Sequence, residues 1–391
     1  PEDIEAMKYA SGIVTVHGGM TSHAAVVARG MGKCCICGCG NIFIDEMNKL
    51  IKIDGKIYEE GYIISLDGSE GKIYEGQIEV ENPKIEGNFE TLLSWAKKHK
   101  KLEVRANADT GGDANVAINF GADGIGLCRT EHMFFEKDKI FSIRKLIVSN
   151  KKEDRNKALK ELLPMQMKDF EKLFESANGK VLTIRLLDPP LHEFLPKEDK
   201  DIYELASSLK IDINEIKKTI NSLKEFNPMM GLRGCRLAII HPEITSMQAE
   251  AIFKAAVNVR KKGIKVNPEI MIPLIGDVKE LKYLKDIITK IGSVILKGTD
   301  IEYKLGTMIE VPRSTVMAAS IAKEVDFFSF GTNDLTQMTY GFSRDDAGSF
   351  IDEYYKKGIL DFDPFKTIDK AGVGSLIKVA ITVSKEENKN I

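Results

Sequence analysis

From residue 102 to residue 330, short apolar runs alternate with long amphipathic segments, and this rhythm constrains the fold more than any other property of the 391-residue chain. Seven runs read as strands: 102–106, 124–128, 181–187, 228–231, 269–273, 306–309 and 327–330. Strands separated by helix-length segments need crossovers, so the expected product is an α/β architecture, a parallel sheet covered by helices. Two arrangements satisfy that pattern: a (β/α)8 TIM barrel with its eighth strand missing, or a doubly wound open sheet. The barrel is favoured because residues able to do chemistry follow every strand, whereas an open sheet concentrates them at one switch point.

Those strand ends are the most informative part of the chain. They read Arg105-Ala106-Asn107-Ala108-Asp109, Cys128-Arg129-Thr130-Glu131, Arg185-Leu186-Leu187-Asp188 and Gly231-Leu232-Arg233-Gly234, then Met308-Ile309-Glu310-Val311-Pro312-Arg313 and Gly331-Thr332-Asn333-Asp334-Leu335. A guanidinium fork grips carboxylate or phosphate oxygens in pairs, so arginines at one mouth suit a small, multiply anionic substrate. Glu310 and Asp334 supply hard oxygen ligands suited to Mg2+ that keeps water or substrate oxygens in its shell. Any one arginine alone reads better as a surface salt bridge, and Glu310 as a partner of Arg313; the repetition is what favours a site.

The first 80 residues look like a small β-rich domain with one helix, beginning without a full sheet. Here Gly18-Gly19-Met20-Thr21-Ser22-His23 precedes the small-residue run Ala24-Ala25. A histidine between a glycine turn and a helix start can be approached closely by backbone and lies near helix N–H groups able to hold a phosphoryl group. The competing reading is a capped helix, with Thr21 or Ser22 as the cap. Four cysteines crowd into Cys34-Cys35-Ile36-Cys37-Gly38-Cys39. Without a distant second pair they read as small hydrophobes of a packed strand sooner than as a zinc knuckle. Residues 81–101, polar and broken by Pro83 and Gly87 before a helical stretch, read as linker and helix, leaving 102–391 to the barrel.

A formal net charge of −2 gives no electrostatic case for nucleic acid or an anionic membrane. No apolar stretch approaches the roughly 20 residues of a membrane span, and no signal peptide opens the chain. The expected compartment is the cytoplasm, or an organelle whose address lies outside this stretch.

Four segments together resemble the pyruvate, phosphate dikinase family of phosphoenolpyruvate (PEP)-utilising enzymes. They are G-G-M-T-S-H-A-A-V-V-A-R-G-M-G at 18–32, G-L-C-R-T-E-H-M-F-F at 126–135, R-L-L-D-P-P-L-H-E-F-L-P at 185–196 and G-T-N-D-L-T-Q at 331–337. The third distinguishes this family from PEP synthase and the phosphotransferase-system enzyme I. The resemblance implies an enzyme that converts ATP, phosphate and pyruvate to AMP, pyrophosphate and PEP through a phosphohistidine. Residues 1–80 would be part of the swivelling phosphohistidine domain, with His23 the phosphoryl carrier. Arg105, Arg185 and Arg233 would hold phosphate and carboxylate, Glu310 and Asp334 would bind Mg2+, and Gly331, Thr332 and Asn333 would line the pocket. Arg344 would be a further contact. A monovalent cation, K+ or NH4+, and a homodimer built on the barrel also follow from it. Thr21 stands where plant members are regulated by phosphorylation, with a helix cap as the alternative.

Two departures bear on function. Leu232 stands where the family has histidine. The family's C-G-E-H-G-G motif, whose cysteine protonates the enolate, and its ATP-grasp domain are absent, so the chain reads as a fragment; Gly111-Gly112 is no substitute nucleotide loop because the lysine is lacking. A PEP synthase-like enzyme and a non-catalytic, PEP-binding or dimerising remnant are the other readings.

Overall fold

The computed structural model describes residues 7, 10–16, 25, 28, 33–46, 48–79, 87–149, 151–196, 198–225 and 227–391. The chain divides between Leu93 and Ser94, inside the helix Gly87–His99 and so within the 81–101 interval.

In the first unit β1 (Gly12–Thr15) pairs in parallel with β2 (Cys34–Cys37), Gly12 opposite Cys34. A parallel pair requires a crossover. The crossover segment carries Thr21 and His23, and both lie outside the described residues; within it Ala25 and Ala28 are helical and buried. The next strands, β3 (Ile42–Asp45), β4 (Leu50–Ile53) and β5 (Lys56–Glu59), form an antiparallel meander. Its second turn is Asp54-Gly55, with φ of 49° and 83°, the double left-handed geometry that matches strand twist in a two-residue hairpin. A further hairpin joins β6 (Ile64–Asp67) to β7 (Lys72–Glu75). On β2 the side chains alternate: Ile36 is buried, the Cys34 thiol lies 3.5 Å from the Leu66 carbonyl, and the Cys35 and Cys37 sulfurs lie 3.4 Å apart on the other face.

The second unit is built on β8 (Arg105–Asn107), β9 (Gly124–Arg129), β10 (Val181–Arg185), β11 (Asn267–Ile272), β12 (Lys304–Ile309) and β13 (Phe327–Phe330). All neighbours are parallel, and spatial order follows chain order from β8 to β13. That singly wound order decides between the two architectures. A doubly wound sheet must reverse its order at a switch point; a barrel never does. The Arg105 guanidinium on β8 reaches Glu269 on β11 at 2.9 Å, although a flat sheet would separate those strands by roughly 14 Å. The sheet is curled. Strands β10, β11 and β12 are buried along almost every residue, as expected where both faces are covered. Phe170 and Phe174 of the helix Lys152–Ala177 and Phe253 of the helix Pro242–Lys261 pack in the same core as Ile125, Ile184 and Ile270.

One expected strand is absent. Residues 228–231 form a 3-10 turn, Pro228–Met230, and β10 pairs directly with β11, Val181 opposite Asn267. The run is four residues long, starts on a proline that cannot donate to a ladder and ends on a glycine, so it is a loop that sounds apolar. The expected strand at 102–106 starts later, at Arg105. Among the described residues no helix is long and apolar enough to cross a membrane.

Candidate active site

The C-terminal ends of these strands border a cleft of about 1040 Å3. Four arginines (Arg129, Arg185, Arg233, Arg344) and seven carboxylates line it, so as it stands the wall carries a surplus of negative charge. Two of the arginines are already committed. Arg185, the last residue of β10, pairs with Glu131 and, at 3.2 Å, with Asp188. Arg233 pairs with Asp188 and reaches Asp334 at 3.2 Å. Burial opposes the Arg185 charge, but Asp188, Glu131 and Glu310 outweigh it and hold the guanidinium protonated.

Glu310 follows β12 and is buried. One of its oxygens accepts the Leu274 N–H at 2.8 Å. Leu274 adopts φ of 63°, a left-handed conformation that costs a non-glycine residue about 1–3 kcal/mol, and in doing so aims that N–H at the carboxylate. Gly331 is obligatory beside it, because a Cβ there would lie 2.7 Å from the Glu310 Cβ and 2.9 Å from the Met308 sulfur. Burial, then the charges of Asp188 and Asp334, push the Glu310 carboxyl well above the ordinary range, and Arg185 and Arg233 offset this only in part. Arg313 pairs with Asp277 at 3.1 Å and with the Gly276 carbonyl, which leaves Glu310 to the cleft.

Asp334 opens the helix Thr332–Tyr340, where one oxygen is 3.4 Å from the Asn333 amide nitrogen and 3.3 Å from that of Gln337. Arg344 donates to the Asn333 side-chain oxygen at 3.0 Å and its own N–H to Gln337 at 2.7 Å, tying the loop after this helix to the cleft. Several atoms of this cluster are buried without a hydrogen-bond partner: Glu131 Oε2, Asp188 Oδ1, Arg185 Nε and Arg233 Nε. Buried polar groups are nearly always satisfied, so orphans concentrated at one place point to a ligand site.

The sequence-expected residues therefore divide. Arg185, Arg233, Glu310, Gly331, Thr332, Asn333, Asp334 and Arg344 all line the cleft. Arg105 does not. It begins β8, level with the first residue of β9, and is held by Glu103 and Glu269, each at 2.9 Å. The arginine that does reach the mouth from this edge is Arg129, at the end of β9, together with Glu131. Both stand in the C-R-T-E motif, at the end of a strand whose neighbour β8 starts three residues later than its apolar run suggests. Leu232 packs against the apolar cluster of Phe134, Leu191 and Phe194, and its N–H donates to Glu225 at 2.7 Å, so an apolar side chain fits this position. Cys128 and Cys235 are buried, and burial pushes both thiols up.

The donor set accords with a hard divalent cation. Glu310 and Asp334 are neighbouring carboxylates in a wall with surplus negative charge, and burial, then Asp188 and Asp334, push Glu310 toward protonation. Among the described residues no three or more His, Cys, Asp or Glu side chains form a metal cage, so such an ion would complete its shell with water and substrate oxygens, as Mg2+ does.

Comparison with known proteins agrees with this geometry. Residues 83–388 match the family profile described as PEP-utilising enzyme, PEP-binding domain, and residues 1–71 the one described as PEP-utilising enzyme, mobile domain. Over 389 residues the chain is 53% identical to pyruvate, phosphate dikinase of Clostridium symbiosum, covering 99% of this chain and 44% of that protein. Over 384 residues it is 51% identical to the chloroplastic pyruvate, phosphate dikinase 1 of Arabidopsis thaliana, covering 97% and 40%. The chain thus spans less than half the length of these relatives. With a singly wound parallel sheet, a cleft of arginines and carboxylates at its mouth and these matches along its whole length, the chain belongs to the PEP-utilising enzymes.

Proposed function

We propose that this chain carries the phosphohistidine and the pyruvate-side half-site of a pyruvate, phosphate dikinase. The observation behind this reading is the cleft: four arginines around the Glu310 and Asp334 carboxylates, at the strand ends of a chain 53% identical to such a dikinase. Arg129, Arg185 and Arg233 take the phosphate and carboxylate of PEP, with Arg344, Thr332 and Asn333 closing one side. His23 attacks phosphorus; the bond between phosphorus and the enol oxygen breaks, and the enolate takes a proton at its terminal carbon to become pyruvate. Negative charge spreads over the phosphoryl oxygens and the enolate as this happens, and fixed guanidinium groups stabilise it without moving. Mg2+ held by Glu310 and Asp334 would supply Lewis-acid neutralisation of those oxygens. Arg105 has no part in ligand binding in this reading. None of the six cysteines is assigned as the proton donor.

In the whole protein, ATP and phosphate load the histidine through a nucleotide-binding domain, K+ or NH4+ assists, and the barrel serves as a homodimer platform in the cytoplasm or an organelle. Thr21 is a regulatory position or a helix cap. The test is acid-labile phosphorylation followed by intact mass after incubation with PEP and Mg2+, in this chain and in His23→Ala. Labelling that needs His23 supports the half-reaction. A folded chain that binds PEP without becoming labelled is a binding remnant instead. Dependence on phosphate and formation of pyrophosphate by the whole protein separate the dikinase from a PEP synthase-like enzyme.

A further inference from the structure

Behind Arg129 lies a pair of side chains that the proposed reaction leaves unused. Asp109 follows β8, and its two carboxylate oxygens are divided between two partners. Oδ1 accepts the main-chain N–H of Arg129 at 2.7 Å, and Oδ2 lies 2.6 Å from Nδ1 of His132. The guanidinium of Arg129 approaches the same Oδ2 only to 3.8 Å, too far for a hydrogen bond. His132 is half-exposed, and the charged groups acting on it are Asp109, Glu131 and Arg129; of these Glu131 is committed to Arg185. One carboxylate oxygen thus has two cations within reach, and His132 holds it.

We propose that His132, through Asp109, is a positioning residue that sets whether Arg129 is available to an anion in the cleft. This rests on the reading of the cleft as an anion site. Protonated His132 neutralises Asp109 and leaves the Arg129 guanidinium to the ligand. When His132 loses its proton, Asp109 keeps its full charge next to Arg129 and competes with the ligand for it. The hydrogen bond to Asp109, opposed by partial burial, raises the His132 pKa from its ordinary value, so the change falls on the alkaline side of about pH 6.5. The sign follows: ligand affinity is highest below that pKa and declines as pH rises through it. Linkage gives a second consequence, since an anion that draws Arg129 toward itself also favours the protonated imidazole, and binding takes up a proton.

The test uses this chain with Mg2+ and oxalate as the probe, by calorimetry from about pH 6 to about pH 9, because oxalate does not titrate there whereas a phosphate monoester does near pH 6. Glu310 and Glu193 also line the cleft with raised carboxyl pKa values, so the quantity read is the ratio of wild-type to His132→Gln affinity at each pH. That ratio should fall from about fivefold at the acid end to about one at the alkaline end, the scale of a partly exposed ion pair. Asp109→Asn, which keeps the acceptor for the Arg129 N–H and removes the charge, should bind oxalate at least as well as the wild type and with the His132-dependent slope gone. A ratio independent of pH, or an Asp109→Asn variant weakened at every pH, would overturn the proposal and leave the pair a structural prop. Arg129→Gln separates this from the underlying reading: if it binds oxalate like the wild type, Arg129 is not part of an anion site at all.

Discussion

Two clusters of arginine and carboxylate sit on the same strands at different heights, and they differ in how completely their atoms are satisfied. Low on the sheet, Arg105 donates to Glu103 and Glu269, and Thr183 adds a third contact by donating to Glu269 at 2.7 Å. At the mouth, Arg185 and Arg233 share Glu131, Asp188 and Asp334, while Glu310 stands beside them and four polar atoms of the cluster are buried without partners. The lower cluster is closed in its hydrogen bonding, the upper one open. A closed cluster holds strands together; an open one retains orphaned groups and a strained Leu274 backbone that only a ligand makes worthwhile.

The sharpest way to break this contrast is Arg185→Gln. It strands Glu131 in a buried setting and leaves Asp188 to Arg233 alone, and a loss of about 3–5 kcal/mol in urea unfolding is expected, together with loss of PEP binding. A loss under about 1 kcal/mol would show that the upper cluster is better solvated than its burial implies. Glu310→Gln tests the opposite sign. PEP-dependent labelling of His23 should fall at least about 100-fold, yet the metal-free variant should melt above the wild type. The folded-state pKa of Glu310 is raised, so wild-type stability declines as pH climbs above the ordinary carboxyl value, and the gap between the two proteins should widen in the same direction. Added Mg2+ should close that gap by stabilising the wild type alone.

Arg105→Gln sharpens the comparison from below: about 1–2 kcal/mol of stability lost, for one charged hydrogen-bond partner removed from buried Glu269, with oxalate affinity unchanged. Any affinity loss beyond about threefold would return Arg105 to the site. The smallest effect belongs to His132→Gln. A histidine with a raised folded-state pKa contributes stability that is complete below its unfolded value and disappears as pH rises through the folded one. Thermal melts of variant and wild type should therefore differ slightly near pH 6 and coincide at alkaline pH.

The sequence was legible wherever one local rule was strong. Alternating strands and helices gave the barrel, and glycine and acidic residues after β12 and β13 gave Glu310, Gly331 and Asp334. It was weakest where a strand begins. In Leu102 to Asp109 nothing local fixes the first paired residue, so the apolar run places Arg105 at the strand's end although it stands at the start, and the arginine that reaches the mouth from this edge is Arg129. Residues 228–231 misled for a related reason, an apolar run too short to carry a ladder. The left-handed Leu274 carries no signal at all, because leucine has no propensity for that conformation and tertiary contacts impose it. His23 and Thr21 lie outside the described residues.

The singly wound order of the sheet also bears on how the chain reaches this state. Each strand pairs with the one before it in sequence, so the sheet can grow one strand at a time, and because closure entropy rises only slowly with length even the long connection from β10 to β11 adds little to the cost. The cleft has no such local history: Glu131, Arg233 and Asp334 come from distant parts of the chain. Secondary structure should thus recover during refolding before oxalate binding does, and anion binding reports the completion of folding rather than its onset.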